Sequence, residues 1–319
     1  MTTGSFTFTV FTPTYNRQGT LHRVYESLLA QTFNDFEWLV VDDGSSDGTG
    51  ELINRWGEEA PFPIRYFWQE NRGKHAAINK GVQEARGALF LIADSDDTFV
   101  AEALRIFHEA WLDIDPDTRE GFTGVAALCM DQNGKGIGDP FPSDPLDVDA
   151  IEMRLRYKVK GEKWGFHRRE VMKAFPFPEQ GDRFVPEDLV WNRIARCYKT
   201  RFINRYLRTY HKDSGTSLTG GGALARASAC MVYEENLNYD LRLWPTAPLQ
   251  FFKIALLYSR YGFHAGRDLF EQWRRLNRHG ARLLWSVAFI PGYLISRWDA
   301  RRGRLPPGDG YLEKIKNKE

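Results

Sequence analysis

GALFLIADSDD, Gly87 to Asp97, runs from an apolar segment straight into three carboxylates within four residues. Leu89 to Ala93 has the length and composition of a buried strand, which places Asp94, Asp96 and Asp97 at its C-terminal end. Carboxylates this close repel one another. A divalent cation bridging them to a phosphate is the simplest compensation, and hard oxygen ligands suit Mg²⁺ or Mn²⁺. A solvated turn with a capping Asp would give the same four letters, so the surrounding chain has to decide between the two.

Upstream, short β-rich runs alternate with helical spacing. FTFTVFT (Phe6 to Thr12) reads as a strand, and Leu21, Val24, Tyr25, Leu28 and Leu29 then share a helical face. FEWLVVDD (Phe36 to Asp43) is a second strand ending in acids. DGSSDGT supplies Ser and Asp caps for a helix carrying Leu52, Ile53 and Trp56. IRYFWQ is a third strand and HAAINKGVQEA a third helix, so GALFLIAD is the fourth strand of an α/β, parallel-sheet pattern. Open sheets of this class bind ligands beyond the C-terminal ends of their strands. TPTYNR (Thr12 to Arg17), VVDDGSSDGT (Val40 to Thr49) and DSDD therefore fall on one edge. ENRGKHAAINKG (Glu70 to Gly81) sets Arg72 and Lys74 around Gly73 just before a helix, a geometry suited to a diphosphate.

Downstream the alternation fades. VAALCM is a further strand, and Asp131 to Asp149 reads as a Gly, Pro and Asp-rich loop. KGEKWGFHRRE (Lys160 to Glu170) brings Trp164 and His167, which serve either as walls of a sugar site or as core. FVPEDLVWNRIA is a helix entered through Pro186, with Glu187 and Asp188 in its first turn. YHKDSGTSLTGGG (Tyr210 to Gly222) is a polar, Gly-rich segment containing His211, Lys212 and Ser217, and beyond Ala223 the chain is helical.

The ordered motifs TPTYNR, VVDDGSSDGT, NRGKHAAINKG, GALFLIADSDD and FVPEDLVWNRIA resemble those of family-2 inverting glycosyltransferases of the GT-A fold, over Phe6 to about Ser217. The resemblance implies a Rossmann-like nucleotide-diphospho-sugar domain over residues 1–222 and a helical extension over 223–319. It puts Pro13, Tyr15, Asn16 and Arg17 in the first nucleotide loop, with Asp43 on the base and Asp42 orienting the loop. Arg72 and Lys74 come near the nucleotide, with Asn79 in the helix beneath the sugar. Asp94 and Asp96 become the DxD pair around Ser95, with Asp96 touching Mn²⁺ or Mg²⁺ directly and Asp94 facing the ribose or sugar. A shift of one residue would make Asp97 the ligand. The ED motif makes Asp188, or alternatively Glu187, the base, although acids in a first helical turn also simply complement the helix dipole. Trp164, His167 and His211 are candidates for the donor-sugar or acceptor wall.

Chemistry supports the same roles. Breaking the anomeric C–O bond loads negative charge on the departing diphosphate, where a carboxylate-held cation stabilises it, and inversion needs one base for the acceptor hydroxyl. The donor expected from the resemblance is a UDP-sugar and the acceptor a saccharide, lipid-linked as in surface polysaccharide synthesis. Two other readings compete: a non-catalytic sugar-nucleotide or glycan-binding protein, and a nucleotidyltransferase. The last would carry a Gly-rich phosphate loop after the first strand, where this chain has TPTYNRQGT.

The 319 residues hold 43 Lys and Arg against 42 Asp and Glu, so a strongly basic nucleic-acid binder is not expected. The balance hides an asymmetry. From Lys253 onward 14 basic residues face six acidic ones, a net +8, while residues 1–252 carry −7. In that tail LLWSVAFIPGYLI (Leu283 to Ile295) is too short to span a bilayer and is interrupted by Pro291. An in-plane membrane-surface anchor and a homo-oligomer contact both fit it. Three scattered cysteines without a Cys-x-x-Cys pair, and a start with no secretion signal, point to the cytoplasm, with the tail against the inner face of the membrane if it is an anchor.

Overall fold

The computed structural model describes residues 6–179, 185–211 and 223–302. The chain divides into two compact units, Met1–Glu179 with Val190–Thr216 and Gln180–Leu189 with Ser217–Glu319.

In the first unit β1 (Phe6–Thr14), β2 (Phe36–Asp42), β3 (Ile64–Trp68) and β4 (Gly87–Ile92) are joined by α1 (His22–Leu29), α2 (Thr49–Glu59) and α3 (Lys74–Glu84). The four strands are parallel in the order β3-β2-β1-β4, with Val10 opposite Trp38 on one side and Leu91 on the other. All seven residues of β2 are buried, as expected of a strand whose sheet is covered on both faces. Glu37 lies among them with no exposure and is held by the Thr9 hydroxyl at 2.7 Å, the Arg86 amide at 2.7 Å and Arg65 at 3.3 Å. A buried carboxylate left without such donors would be costly. Much of the aromatic surplus goes into this core, where Tyr25 stacks on Trp56 at 4.4 Å and Phe8 meets Phe166 edge-on at 5.4 Å.

The remaining elements of the unit are β5 (Thr98–Phe99), α4 (Ala103–Leu112), β6 (Phe122–Asp131), β7 (Leu146–Val148), α5 (Ala150–Leu155), β8 (Lys163–Arg168), α6 (Arg169–Ala174), the part of α7 (Glu187–Ala195) from Val190 on, and β9 (Lys199–Tyr210). They extend the sheet to β3-β2-β1-β4-β8-β6-β9-β5, with β7 beside β9. β8 runs antiparallel to both β4 and β6, which ends the parallel pattern. The segment expected as a Gly, Pro and Asp-rich loop, Asp131 to Asp149, contains the short strand β7 near its end. Antiparallel β5 and parallel β6 both pair with β9, and this brings the C-terminal end of β9 to the acids that follow β4.

The second unit is helical over its described residues: α8 (Ala223–Tyr239), α9 (Pro248–His264), α10 (Leu269–Arg275) and α11 (His279–Arg301). Tyr258 donates to the Gln272 carbonyl at 2.9 Å and Trp285 to the Gln272 side chain at 3.1 Å, tying α9, α10 and α11 together. Asp299, fully buried, accepts from Arg260 at 2.7 Å and meets His264 at 3.1 Å. α11 continues through Pro291 even though the ring removes the amide that would bond the carbonyl of Val287. None of the described helices is long and apolar enough to cross a membrane.

Candidate active site

Two loops at the C-terminal edge of the sheet lock onto each other. Asn16 follows β1 with φ of +51°, a left-handed conformation that Asn tolerates better than most side chains. Its amide donates to the Ser45 hydroxyl at 2.8 Å, and its side-chain oxygen accepts from the Ser46 amide at 2.8 Å. The Arg17 amide donates to the Thr49 hydroxyl at 3.2 Å. Pro13 is buried in the strand, whereas Tyr15 is 50% exposed.

The two carboxylates that end β2 do different jobs. Asp42 accepts from the Ser45 amide at 2.8 Å and the Tyr66 hydroxyl at 2.9 Å, so it orients the loop. Burial, followed by the proximity of Asp42, pushes the Tyr66 hydroxyl well above its usual range. Asp43 accepts from the Gln69 side chain at 2.8 Å and from the amides of Arg72 at 2.9 Å and Gly73 at 2.8 Å. It therefore pins the segment that starts α3, and Gly73 suits that entry because its φ is +94°.

The acids after β4 meet cations from two directions. Lys74, the first residue of α3, places Nζ 2.7 Å from Asp94 Oδ1. Arg208, near the end of β9, bonds Asp94 Oδ2 through Nη2 at 3.0 Å and Asp97 Oδ2 through Nε at 2.7 Å. Burial alone would raise the Asp94 carboxyl, but the charges of Lys74 and Arg208 outweigh it and bring it down to about 2. Asp97 is 3% exposed and also accepts from the His211 amide at 3.1 Å. Burial pushes it up to about 6 despite Arg208. Asp96 keeps about a fifth of its side chain in solvent and meets Arg17 at 3.9 Å. Ser95 is buried in the turn between them.

Arg208 is a site residue that the motifs did not indicate. Glu179 is another: it pairs with the Arg72 guanidinium and accepts from Asn79 at 2.8 Å. Asn79 also exchanges hydrogen bonds with the backbone of Phe177, at 2.8 and 2.9 Å. Its amide thus fastens Phe177–Glu179, and the structure gives it a positioning task.

Of the expected wall residues, Trp164 belongs to the core and His167 is half-buried beside α7. Trp164 is 4% exposed, donates to the Ile92 carbonyl at 2.7 Å and packs on Phe99 and Phe107. Replacing it with Ala should cost about 3–5 kcal/mol in chemical denaturation while leaving donor binding by the folded fraction unchanged. His167 lies between the Thr123 hydroxyl, at 2.8 Å, and the ring of Trp191, stacked at 4.9 Å. Burial depresses its pKa to about 4. Because that value is below the ordinary 6.5, the unfolded chain binds the extra proton first, and stability is lost as pH falls from 6.5 toward 4. Relative to His167→Phe, the protein should lose up to roughly 3 kcal/mol over that window, measured as the difference between the two denaturation series. His211 does reach the acid cluster, its Nε2 3.1 Å from the Thr98 hydroxyl. Lys212 and Ser217 lie outside the described residues. Glu187 and Asp188 occupy the first turn of α7, with Asp188 exposed.

For a divalent cation the donor set is suitable but sparse. Asp94 and Asp96 offer hard oxygens. Among the described residues, no group of three or more His, Cys, Asp or Glu side chains is gathered to enclose a metal. Such a set fits Mg²⁺ or Mn²⁺ held jointly with a diphosphate, since these ions commonly take one or two carboxylates and complete their shell with phosphate and water. Arg17, Lys74 and Arg208 stand at the same edge, where their charges face those of Asp96, Asp94 and Asp97.

Comparison with known proteins agrees with this geometry. Residues 9–118 match the model of glycosyl transferase family 2. An uncharacterized glycosyltransferase of Nostoc sp. is 32% identical over 303 residues, covering 91% of this chain and 88% of its own. The GalNAc(5)-diNAcBac-PP-undecaprenol beta-1,3-glucosyltransferase of Campylobacter jejuni is 25% identical, covering 79% of this chain and 82% of its own. Among solved structures, S. aureus TarS 1-349 in complex with UDP-GlcNAc superposes with a TM-score of 0.61 at 19% identity, covering 95% of this chain and 93% of that one. Mannosyltransferase PcManGT from Pyrobaculum calidifontis, in complex with GDP-Man and Mn²⁺, gives 0.53 at 18% identity, covering 93% and 88%. These matches decide for glycosyl transfer over nucleotidyl transfer or passive glycan binding. The sheet, the paired strand-end loops and the relatives lead to one assignment: the chain belongs to glycosyltransferase family 2 and is a GT-A enzyme with a C-terminal helical extension that uses a nucleotide-sugar donor.

Proposed function

We propose that the enzyme transfers a hexosyl group, with inversion, from a UDP-sugar to a hydroxyl of a lipid-linked saccharide in surface polysaccharide synthesis, with Mn²⁺ or Mg²⁺ as cofactor. The observation that carries this reading is the meeting of Lys74, Asp94, Asp96 and Arg208 at the end of β4, beside the loops that follow β1 and β2. The UDP-GlcNAc bound by TarS, the Mn²⁺ bound by PcManGT and the undecaprenol-linked saccharide in the Campylobacter enzyme's name support the choice of donor, metal and acceptor.

A bound divalent cation would draw charge from the departing diphosphate, with Asp96 and Asp94 as its protein ligands. Lys74 and Arg17 neutralise the phosphates, and Lys74 does so at the N-terminus of α3, where the helix dipole already favours an anion. Arg208 holds Asp94 and Asp97 in place. Asp43 and Asp42 fix the two loops that enclose the nucleotide. Asp188, or Glu187 beside it, accepts the proton of the attacking hydroxyl, so that bond formation at the anomeric carbon and departure of the diphosphate proceed in line.

Thermal unfolding in the presence of UDP-, GDP- and dTDP-sugars, with and without Mn²⁺, tests the donor. UDP-sugars should raise Tm, and Mn²⁺ should enlarge the shift. Asp96→Asn should remove the Mn²⁺-dependent part while leaving the unliganded Tm within a few degrees. No shift with any nucleotide, or a shift indifferent to Asp96, would contradict the reading.

A further inference from the structure

Helix α11 leaves one face uncovered. Leu283, Val287, Ile290 and Leu294 are 71%, 63%, 58% and 60% exposed, and steps of four, three and four residues set them in a single stripe along the helix. Trp298 continues the stripe at 46%. The opposite face is buried through Ala281, Trp285, Ala288, Gly292 and Ser296, so the helix is packed on one side only. Covering a side chain of this size is worth about 1.5–3 kcal/mol, and a contiguous exposed run marks a surface that meets something apolar.

The ends of the stripe identify the partner. Arg278 and Arg282 stand at its start and Arg297, Arg301 and Arg302 at its finish, all exposed except the half-buried Arg282. The one acid in the helix, Asp299, is buried and taken up by Arg260 and His264. The face is therefore apolar along its length and cationic at its C-terminal end, with Arg278 and Arg282 flanking its start and no exposed carboxylate of its own. A second copy packed across a two-fold axis would bring arginine clusters against arginine clusters in either relative direction. An anionic bilayer has the opposite complementarity: acyl chains for the stripe, phosphate groups for the arginines and an interfacial layer for Trp298.

We propose that α11 is an in-plane anchor that lays its Leu283–Leu294 stripe into an anionic lipid surface. This deepens the reading of a lipid-linked acceptor and rests on it only for its purpose, because attachment is measured without any transfer reaction. The full chain is sedimented with phosphatidylcholine vesicles with and without phosphatidylglycerol. Partitioning should be at least about tenfold stronger with the anionic lipid and should fall at high salt. R297Q/R301Q/R302Q should weaken it about 100-fold, and L283S/I290S at least about tenfold. Both variants should keep the wild-type Tm and nucleotide binding, since the altered side chains are exposed. Absence of binding to anionic vesicles, or binding that neither variant weakens, would overturn the proposal. So would a dimer in sedimentation velocity that L283S/I290S dissociates, which would assign the stripe to a second copy. Loss of nucleotide binding in wild type would instead count against the donor site and leave the anchor standing.

Discussion

Replacing Arg208 with Met should destabilise the protein by about 3–5 kcal/mol, because the substitution leaves the buried Asp97 and the partly buried Asp94 without the guanidinium that joins them. The loss should depend on pH in a defined sense. Without Arg208 the Asp97 carboxyl moves further above its unfolded value, so the folded state favours its protonated form. Stability from that form is present at low pH and lost as pH rises through the folded pKa. The deficit of Arg208→Met should therefore be smaller at pH 5 than at pH 8 in paired urea titrations. Adding Asp97→Asn should recover part of it, as expected for residues that share one network. Arg208→Lys should fall between, since an ammonium cannot reach both carboxylates as the fork does. Donor binding should weaken with the fold intact at low pH, because Asp94 loses one of its two fixed partners. A deficit independent of pH would assign Arg208 to packing alone.

Asp188→Asn should lower kcat by about 10²–10⁴ with little change in the KM for donor, the range expected when a general base is lost. Asn keeps the size and much of the hydrogen bonding of Asp, and position 188 is exposed, so the fold should be unaffected. Glu187→Gln is the control that separates the two acids: whichever substitution removes the acidic limb of the kcat profile marks the base. Full transfer by both variants would remove the single-base mechanism.

How far the site could be read from sequence follows from where its parts lie in the chain. The parallel half was legible because each βα unit repeats the same local signal, an apolar run that ends in Asp or Asn followed by a helical face. Asp42 and Asp43 share one strand end and are separated only by their partners, Tyr66 for one and Gly73 for the other, which no spacing reveals. Arg208 was hidden for a different reason. KTRFINRYLRTY carries three arginines, and only the pairing of β9 with β5 and β6 shows that Arg208 turns inward toward acids more than 100 residues earlier. Residues 200–203 and 207–208 are buried, so Arg201 and Arg208 both sit inside, and each has carboxylates opposite, Asp113 and Asp147 for one and Asp94 and Asp97 for the other. Trp164 and His167 misled because an aromatic near a site motif looks the same whether it faces solvent or core. Trp164 and His167 stand on opposite faces of β8: one face turns Trp164 into the core, and the other sets His167, half-buried, against Trp191. The tail's charge was visible from composition, but its meaning depended on which side of α11 is buried.

Isothermal titration of UDP into the full chain, with and without Mn²⁺ and repeated with Lys74→Gln and Asp96→Asn, tests whether the strand-end cluster of Lys74, Asp94, Asp96 and Arg208 holds the diphosphate of the donor. The expected result is one site, tighter with Mn²⁺ in wild type. Lys74→Gln should weaken it about tenfold, the loss of one charge-assisted contact, and Asp96→Asn should abolish the effect of Mn²⁺. Binding of UDP that is unchanged in both variants, or no binding of any nucleoside diphosphate under either condition, would contradict it.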